Sequence, residues 1–180
     1  MIRQICFCCK AYLGSLEAQG NDEELISHGV CRECFPRLLA GSGQQFEELL
    51  NSLPAPVFVV GHDGSIVTAN ARGQKIVANQ LGEIKGSLGG EVFCCKYSEL
   101  PGGCGQTIHC RSCTIRITVT STFEDGKPRI RVPAYMDLGD ITGLKTIRFL
   151  ISTEKVDNIV LLRIDDVQPA YIEREKILGN

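Results

Sequence analysis

The chain has 180 residues, of which 43% are hydrophobic and 22% charged, and its formal net charge at pH 7 is −2. That length suits one ordinary domain together with a small module. No apolar run approaches the length needed to cross a bilayer, which excludes a membrane-spanning helix. The slightly acidic balance lacks the broad positive field that holds phosphate backbones, and therefore disfavours nucleic-acid binding.

The ten cysteines fall into two groups, with none between Cys34 and Cys94. The first group contains Cys6, Cys8, Cys9, Cys31 and Cys34, and the second contains Cys94, Cys95, Cys104, Cys110 and Cys113. Nothing at the N-terminus resembles a secretory signal, so we expect a cytoplasmic protein. Because disulfides are rare in the reducing cytosol, grouped thiols there indicate bound metal.

Residues 1–40 are predicted to form a small metal-binding module, since about forty residues rarely bury enough apolar surface to fold unaided. Two Cys-x-x-Cys pairs about twenty residues apart are typical of a zinc knuckle joined to a helix by a loop. The predicted zinc ligands are Cys6, Cys9, Cys31 and Cys34. Cys8 is an alternative partner in the first pair. His28 is a further alternative, although we expect it to hydrogen-bond a thiolate.

The glycine-rich residues 41–43 are predicted to be a linker, followed by a helix from Ser42 to Leu53. Ser42 and Gln45 have the spacing of a helix-opening capping box. The apolar residues recur at helical intervals: Phe46, Leu49, Leu50 and Leu53. Proline at position 54 ends the helix.

A strand hairpin is predicted next, with Val57–Val60 and Ser65–Ala69 joined by a tight turn at residues 62–65. Asn70 is expected to cap a helix that continues to about Asn79. Farther along, the sequence predicts a helix over Thr114–Phe123, which ends at Asp125 and Gly126.

Three more strands are predicted over Arg129–Leu138, Thr146–Thr153 and Asn158–Asp165. The last contains an unbroken apolar run, residues 159–162, that suits a central strand covered on both faces. Pro169 is expected to open a short terminal helix. This order predicts an α+β fold in which an antiparallel sheet carries helices on one face.

The stretch from Phe46 to Asn70 resembles the opening of a PAS domain, and the predicted strand order is similar to that family's. The resemblance covers residues 43 to about 167, and we assign residues 44–167 to such a domain. It implies a five-stranded antiparallel sheet with a helical lid over a pocket. Domains of this family serve in sensing and protein contacts rather than catalysis.

Residues 90–95 and 103–116 resemble a cysteine-bearing subgroup of bacterial PAS sensors, which implies a metal site within residues 94–113. The matching thiols are Cys95, Cys104, Cys110 and Cys113. Four thiolates select zinc or an iron–sulfur cluster over magnesium or calcium. If the segment is a strand, Cys94 and Cys95 point to opposite faces, so one of them binds. The resemblance aligns Cys95, and Cys94 stays an alternative.

Residues 5–9 and 27–34 are similar to a short cysteine module found beside bacterial sensor domains. Its hallmark is the Ser-His-Gly-x-Cys-x-x-Cys turn. In this chain the connecting loop is shorter than in that module, and Cys8 is an additional thiol.

We therefore expect a signal-transduction sensor and not an enzyme, because no acid, base and nucleophile converge in the sequence. The sequence contains no kinase, cyclase or helix-turn-helix pattern, so a separate effector such as a sensor kinase or regulator is the expected partner. Homodimerisation through the PAS-like domain and helix 42–53 is expected, with residues 168–180 as a signalling tail. The alternatives are a structural adaptor with two zinc sites and a thiol-based redox switch.

Overall fold

The computed structural model describes residues 2–6, 9–16, 25–31, 33–34, 43–77, 81–138 and 145–170. The chain divides into two compact units, Met1–Ser52 and Leu53–Asn180. This division groups residues 43–52, which precede Pro54, with the N-terminal unit. The predicted linker residues 41 and 42 lie outside the described residues, and the predicted domain boundaries at 40 and 44 remain predictions.

The N-terminal unit contains a three-stranded sheet that the sequence did not predict. Its strands are β1 (Ile2–Cys6), β2 (Tyr12–Leu16) and β3 (Leu25–Gly29), in the order β2-β1-β3. Strand β1 pairs antiparallel with β2 and parallel with β3. Gln4 and Cys6 are buried and share one face of β1, as the two-residue period of a strand requires. Helix α1 (Gly43–Ser52) follows, close to the predicted bounds.

The second unit contains the predicted five-stranded antiparallel sheet, in the order β5-β4-β8-β7-β6. Its strands are β4 (Val57–Val60), β5 (Ile66–Ala69), β6 (Arg129–Leu138), β7 (Lys145–Val156) and β8 (Ile159–Ala170). Strands β5 and β6 are connected through α2 (Ala71–Val77), α3 (Leu81–Ile84), α4 (Gly89–Val92), the 3₁₀ segments Lys96–Glu99 and Ile108–Ser112, and α5 (Thr114–Asp125). The predicted α+β fold class, with a small cysteine module before the sheet, is confirmed.

Helix α5 forms despite its β-branched residues because packing outweighs their weak helix preference. Thr118, Val119 and Thr122 are buried. The helix ends at Gly126, whose φ of 69° is left-handed and whose N–H donates to the carbonyl of Thr122. Glycine adopts that conformation without steric cost.

Strand β8 differs from the prediction at its end and on one face. It continues to Ala170, so Pro169 lies in the strand and does not open a helix. Strand β4 pairs with β8 over residues 160–163, and Pro169 lies well past that pairing, near a strand end where a missing N–H is tolerated. The strand is central as predicted, but its buried residues alternate with half-buried ones, so one face is incompletely covered. Residues 171–180 lie outside the described residues.

The core of the second unit is apolar and is centred on three aromatic rings. Phe58 lies 5.0 Å from Phe93, and Phe93 lies 5.8 Å from Phe149, measured between ring centroids. Such tilted and edge-on pairs add attraction beyond the burial of their area. Ile84 and Ile151 are fully buried in the same cluster. The second unit therefore has a core of its own.

The Asn70 side chain joins three segments of the second unit. Its Oδ1 accepts hydrogen bonds from the backbone N–H of Val57, at 3.0 Å, and of Gly73, at 2.8 Å. Its Nδ2 donates to the carbonyl of Ala55 at 2.8 Å. Asn70 thus caps α2, as predicted, and also fixes the start of β4.

Replacing Asn70 by alanine is expected to lower the free energy of unfolding by about 2 to 4 kcal/mol, because the cap is lost and buried backbone groups lose their partner. Denaturant unfolding of the second unit measures this effect. Lys75→Ala, at an exposed position of α2, is the control and should shift stability by less than about 0.5 kcal/mol. Equal stability of the two variants would contradict the role of Asn70.

Candidate metal centres

The structure brings four cysteines of the N-terminal unit together. The Sγ atoms of Cys6, Cys9, Cys31 and Cys34 all lie within 4.8 Å of one another. The distance from Cys9 Sγ to Cys31 Sγ is 3.7 Å. Zinc–thiolate bonds of about 2.3 Å in a tetrahedron place the sulfurs roughly 3.8 Å apart. The group therefore has the dimensions of a site for one tetrahedral ion.

Backbone geometry explains how these four thiols meet. The N–H of Cys6 donates to the carbonyl of Ala11, and the N–H of Lys10 donates to the carbonyl of Cys6, so the chain turns back after β1 and returns Cys9. The parallel pairing of β1 with β3 sets Cys6 opposite Gly29, which brings Cys31 alongside. Cys8 and the side chain of His28 lie outside the described residues.

Two backbone N–H groups point at sulfurs of this first group. The N–H of Cys31 lies 3.4 Å from Cys6 Sγ, and the N–H of Cys34 lies 3.4 Å from Cys31 Sγ. Hydrogen bonds to an ionised acceptor are stronger than those to a neutral one, so these donors favour thiolates. The arrangement suits a cation that keeps the sulfurs deprotonated.

Without a cation, the neighbouring thiols oppose the ionisation of Cys34. The hydrogen bond to Cys31 raises the pKa of the Cys34 thiol, and burial and the neighbouring thiols Cys9 and Cys6 raise it further. A bound metal ion compensates the thiolate charge and releases these protons. Metal affinity at this site should therefore fall as the pH falls.

The second cysteine group lies in the loop segments between α4 and α5. Cys95, Cys104, Cys110 and Cys113 are each half-buried. Burial raises the pKa of Cys95 and of Cys104, and the negative charges of the other thiols in the group add to the shift. The four sulfurs thus share one electrostatic environment.

Hydrogen-bond donors surround two of these sulfurs. The N–H of Gly90 lies 3.3 Å from Cys104 Sγ, and the N–H of Gly105 lies 3.1 Å from Cys110 Sγ. The Thr107 hydroxyl lies 3.2 Å from Cys110 Sγ. Burial opposes ionisation of Cys110, but the hydrogen bonds from Thr107 and Gly105 outweigh it and lower the pKa of that thiol.

Arg116 and Gly105 shape the chain beside Cys110. The guanidinium of Arg116 donates to the carbonyl of Gly105, and its positive charge helps to lower the pKa of Cys110. Gly105 has a φ of 89°, a left-handed conformation that a side chain would disfavour. Arg111 is exposed. The loop therefore presents positive charge and N–H groups to Cys110.

Cys94 and Cys95 differ in their surroundings, but not because they lie on opposite faces of a strand, as the sequence predicted. Cys94 lies in a turn with a φ of 53° and not in a strand. Its side chain is exposed, whereas Cys95 packs against the apolar core. Cys95 also pairs through its backbone with Leu138 at the end of β6. These differences favour Cys95 as the member of the group.

A polar cluster beside the second group was missed by the sequence analysis. His109 stacks on Tyr97 with ring centroids 3.9 Å apart and an interplanar angle of 16°. The Tyr97 hydroxyl donates to Asp137 Oδ2 at 2.9 Å. Lys96 Nζ lies 3.7 Å from the same oxygen. No sequence pattern indicated this cluster, because Tyr97 and Asp137 are 40 residues apart.

None of the helices in the described ranges has the length and apolar character of a membrane-crossing segment.

Comparison with known proteins gives likenesses of fold. No protein family model and no curated protein matches the chain. Among solved structures, a domain of a sensory box sensor histidine kinase/response regulator from Geobacter sulfurreducens is 12% identical with a TM-score of 0.43, over 71% of this chain and 96% of its own.

Two further solved structures are similar. The PAS domain of BvgS from Bordetella pertussis is 12% identical with a TM-score of 0.40, over 72% of this chain and 85% of its own. The PAS domain of an HTR-like protein from Haloarcula marismortui is 14% identical with a TM-score of 0.39, over 77% and 99%. Since all three TM-scores are below 0.5, the fold assignment rests on the sheet and helices of this chain.

Replacing Cys34 by serine is expected to remove one equivalent of bound zinc and to unfold residues 1–40, because zinc binding by a small module contributes on the order of 10 kcal/mol to its folding. Limited proteolysis and zinc analysis of the purified chain measure both effects. The second unit should keep its thermal transition. The exposed Cys94→Ser change is the control, and protease resistance equal to that control would count against a metal-dependent module.

Gly90 offers a test of the second group. A Cβ at this position would lie 2.7 Å from Cys104 Sγ, whereas a Cβ on the neighbouring Gly89 would meet nothing within 4 Å. We expect Gly90→Ala to weaken metal binding by the second group about tenfold or more, and Gly89→Ala to leave it unchanged. Metal titration of the two variants measures the difference. Since alanine favours helices over glycine, a loss in Gly90→Ala alone reports the sulfur contact.

Proposed function

We propose that this protein is a cytoplasmic, non-catalytic bacterial sensor in which a PAS-like domain carries a metal centre on its second cysteine group. The group bound there, called the guest below, is an iron–sulfur cluster, with a zinc ion as the alternative. Its ligands are Cys95, Cys104, Cys110 and Cys113. The first cysteine group holds a structural zinc ion. The signal passes by protein contact to a separate effector, such as a sensor kinase or regulator.

Two observations support a structural zinc ion at the first group: the small size of the N-terminal module and the distance between its sulfurs. The described strands of the N-terminal unit have five residues each, and a module of about forty residues rarely buries enough apolar surface to fold unaided. The 3.7 Å separation of Cys9 and Cys31 suits one tetrahedral ion. An ion with four thiolate ligands is closed to substrates, and so acts as a structural element.

The observation that carries the sensor proposal is that the second cysteine group belongs to a unit with its own apolar core. Among the described residues of that unit, fifteen buried ones form the core around Phe58, Phe93 and Phe149. A unit packed in this way does not require a metal ion to fold. A four-thiol site there is better explained by a response to a stimulus than by stability.

The hydrogen bonds and the partial exposure of the second group support an iron–sulfur cluster at this site. Its reduction potential depends on solvent exposure and on hydrogen bonds to the sulfurs. Cys104 and Cys110 accept such bonds, and all four thiols are half-buried. These features would tune a redox or gas-responsive centre.

Two alternatives lead to other functions. If both groups bind zinc, the protein is a structural adaptor that senses nothing. If the second group stays free of metal, the exposed Cys94 next to Cys95 favours a thiol-based redox switch. In each case we propose a homodimer formed through the second unit and α1, with no membrane or nucleic-acid partner.

Purification of the full chain without oxygen tests the proposal. We expect one zinc per chain, together with iron and sulfide in a visible chromophore that bleaches in air. Cys110→Ser should abolish the chromophore, and Cys94→Ser should retain it. Colourless protein with two zinc ions would overturn the cluster in favour of the adaptor. One zinc with four reactive thiols in the second group would favour the redox switch.

A further inference from the structure

The polar cluster beside the second cysteine group connects that group to the sheet. We call Lys96, Tyr97, His109 and Asp137 the anchor cluster. Its members are joined by the ring stack between Tyr97 and His109, by the 2.9 Å hydrogen bond from Tyr97 to Asp137, and by the 3.7 Å contact from Lys96 Nζ to Asp137. Lys96 Nζ also lies 4.6 Å from the centroid of the Tyr97 ring, a distance typical of a cation–π contact.

One side of the anchor cluster is attached to two different parts of the cysteine loop. Lys96 and Tyr97 directly follow Cys95 in the first 3₁₀ segment, and His109 directly precedes Cys110 in the second. The stack of Tyr97 on His109 therefore spans the two segments that carry these thiols. Any change in the separation of Cys95 and Cys110 acts on the stack.

The other side of the anchor cluster is attached to the β6–β7 pair. Asp137 lies near the end of β6 and accepts a 2.6 Å hydrogen bond from the Thr146 hydroxyl at the start of β7. Asp137 and Thr146 are directly paired in the sheet. The carboxylate thus holds the loop with one oxygen and β7 with the other.

Backbone pairing alone does not supply this connection. The bridge between Cys95 and Leu138 ties Cys95 to β6, but it does not reach the segment that carries Cys110. The stack and the Tyr97 hydroxyl extend the connection to that second segment. Because a hydrogen bond weakens steeply as its length and angle depart from the optimum, a small displacement of the stack is enough to break the hydrogen bond from Tyr97 to Asp137.

We propose that the anchor cluster transmits the occupancy of the second cysteine group to the end of the β6–β7 pair. A bound guest fixes the separation of Cys95 and Cys110, keeps Tyr97 stacked on His109, and holds the Tyr97 hydroxyl on Asp137. Loss of the guest lets the two loop segments separate and frees the ends of both strands. This inference rests on the proposed function, since it requires a guest at the second group.

Hydrogen–deuterium exchange on the anaerobically prepared full chain tests the proposal. The loaded protein is compared with Cys113→Ser, which empties the second group without changing a member of the anchor cluster. We expect amides of residues 134–138 and 145–148 to exchange about tenfold faster in the emptied protein. In Tyr97→Phe, which keeps the ring but loses the hydroxyl, these amides should exchange fast even when the metal content is that of the wild type.

Tyr135→Phe is the matched control, because Tyr135 is an exposed tyrosine on β6, the strand that carries Asp137. In this variant the amides should still exchange about tenfold faster when the second group is empty than when it is loaded. A loaded Tyr97→Phe protein that exchanges as slowly as the loaded wild type would overturn the proposal. So would equal exchange rates of these amides in the loaded wild type and in the emptied Cys113→Ser protein.

Asp137→Asn provides a second variant if Tyr97→Phe does not retain the guest, and it is expected to give the same fast exchange at full metal content. Loss of the guest in both variants would overturn transmission, because the anchor cluster would then act in holding the guest. Failure of the proposed function is separately visible. It would appear in metal analysis, as a wild-type second group without metal, before any exchange is measured.

Discussion

The repulsion among neighbouring thiolates is the constraint on which the organisation of this chain depends. Four sulfurs within 4.8 Å in the N-terminal unit cannot all ionise unless a cation lies among them. The fold nevertheless gathers them, through the turn after β1 and the parallel pairing of β1 with β3. The three short strands therefore place the thiols, and a metal ion bound among them would add to the stability of the unit.

In the second unit the thiols are placed by a loop and not by the sheet. Its sheet and apolar core are complete without the cysteines, and Asn70 fixes the start of β4 against α2. The second group lies in a loop that contains two 3₁₀ segments. Each segment has only four or five residues, so local contacts determine much of the backbone conformation. N–H groups of Gly90 and Gly105 point at sulfurs instead of carbonyls.

Elements with strong local patterns were predictable from the sequence, and those set by partner strands were not. Strands β4 and β6 match their predicted bounds, and the Cys-x-x-Cys spacing indicated the first metal group. The N-terminal strands were missed because residues such as Arg3 and Gln4 give no clear alternation. The end of β8 was missed because Asp166 and Gln168 are typical of loops, yet β7 is long enough to pair with them. The contact of Tyr97 with Asp137 has no local signal at all.

Sheet register shows where a change at the second cysteine group would arrive. Thr146, which donates to Asp137, pairs on its other side with Ala170, the last residue of β8. That end of β8 lies past its pairing with β4 over residues 160–163 and is paired with the start of β7. Ala170 also belongs to residues 168–180, which the sequence predicted to be a signalling tail. The anchor cluster and the pairing of Thr146 with Ala170 thus connect the second cysteine group to the predicted signalling tail.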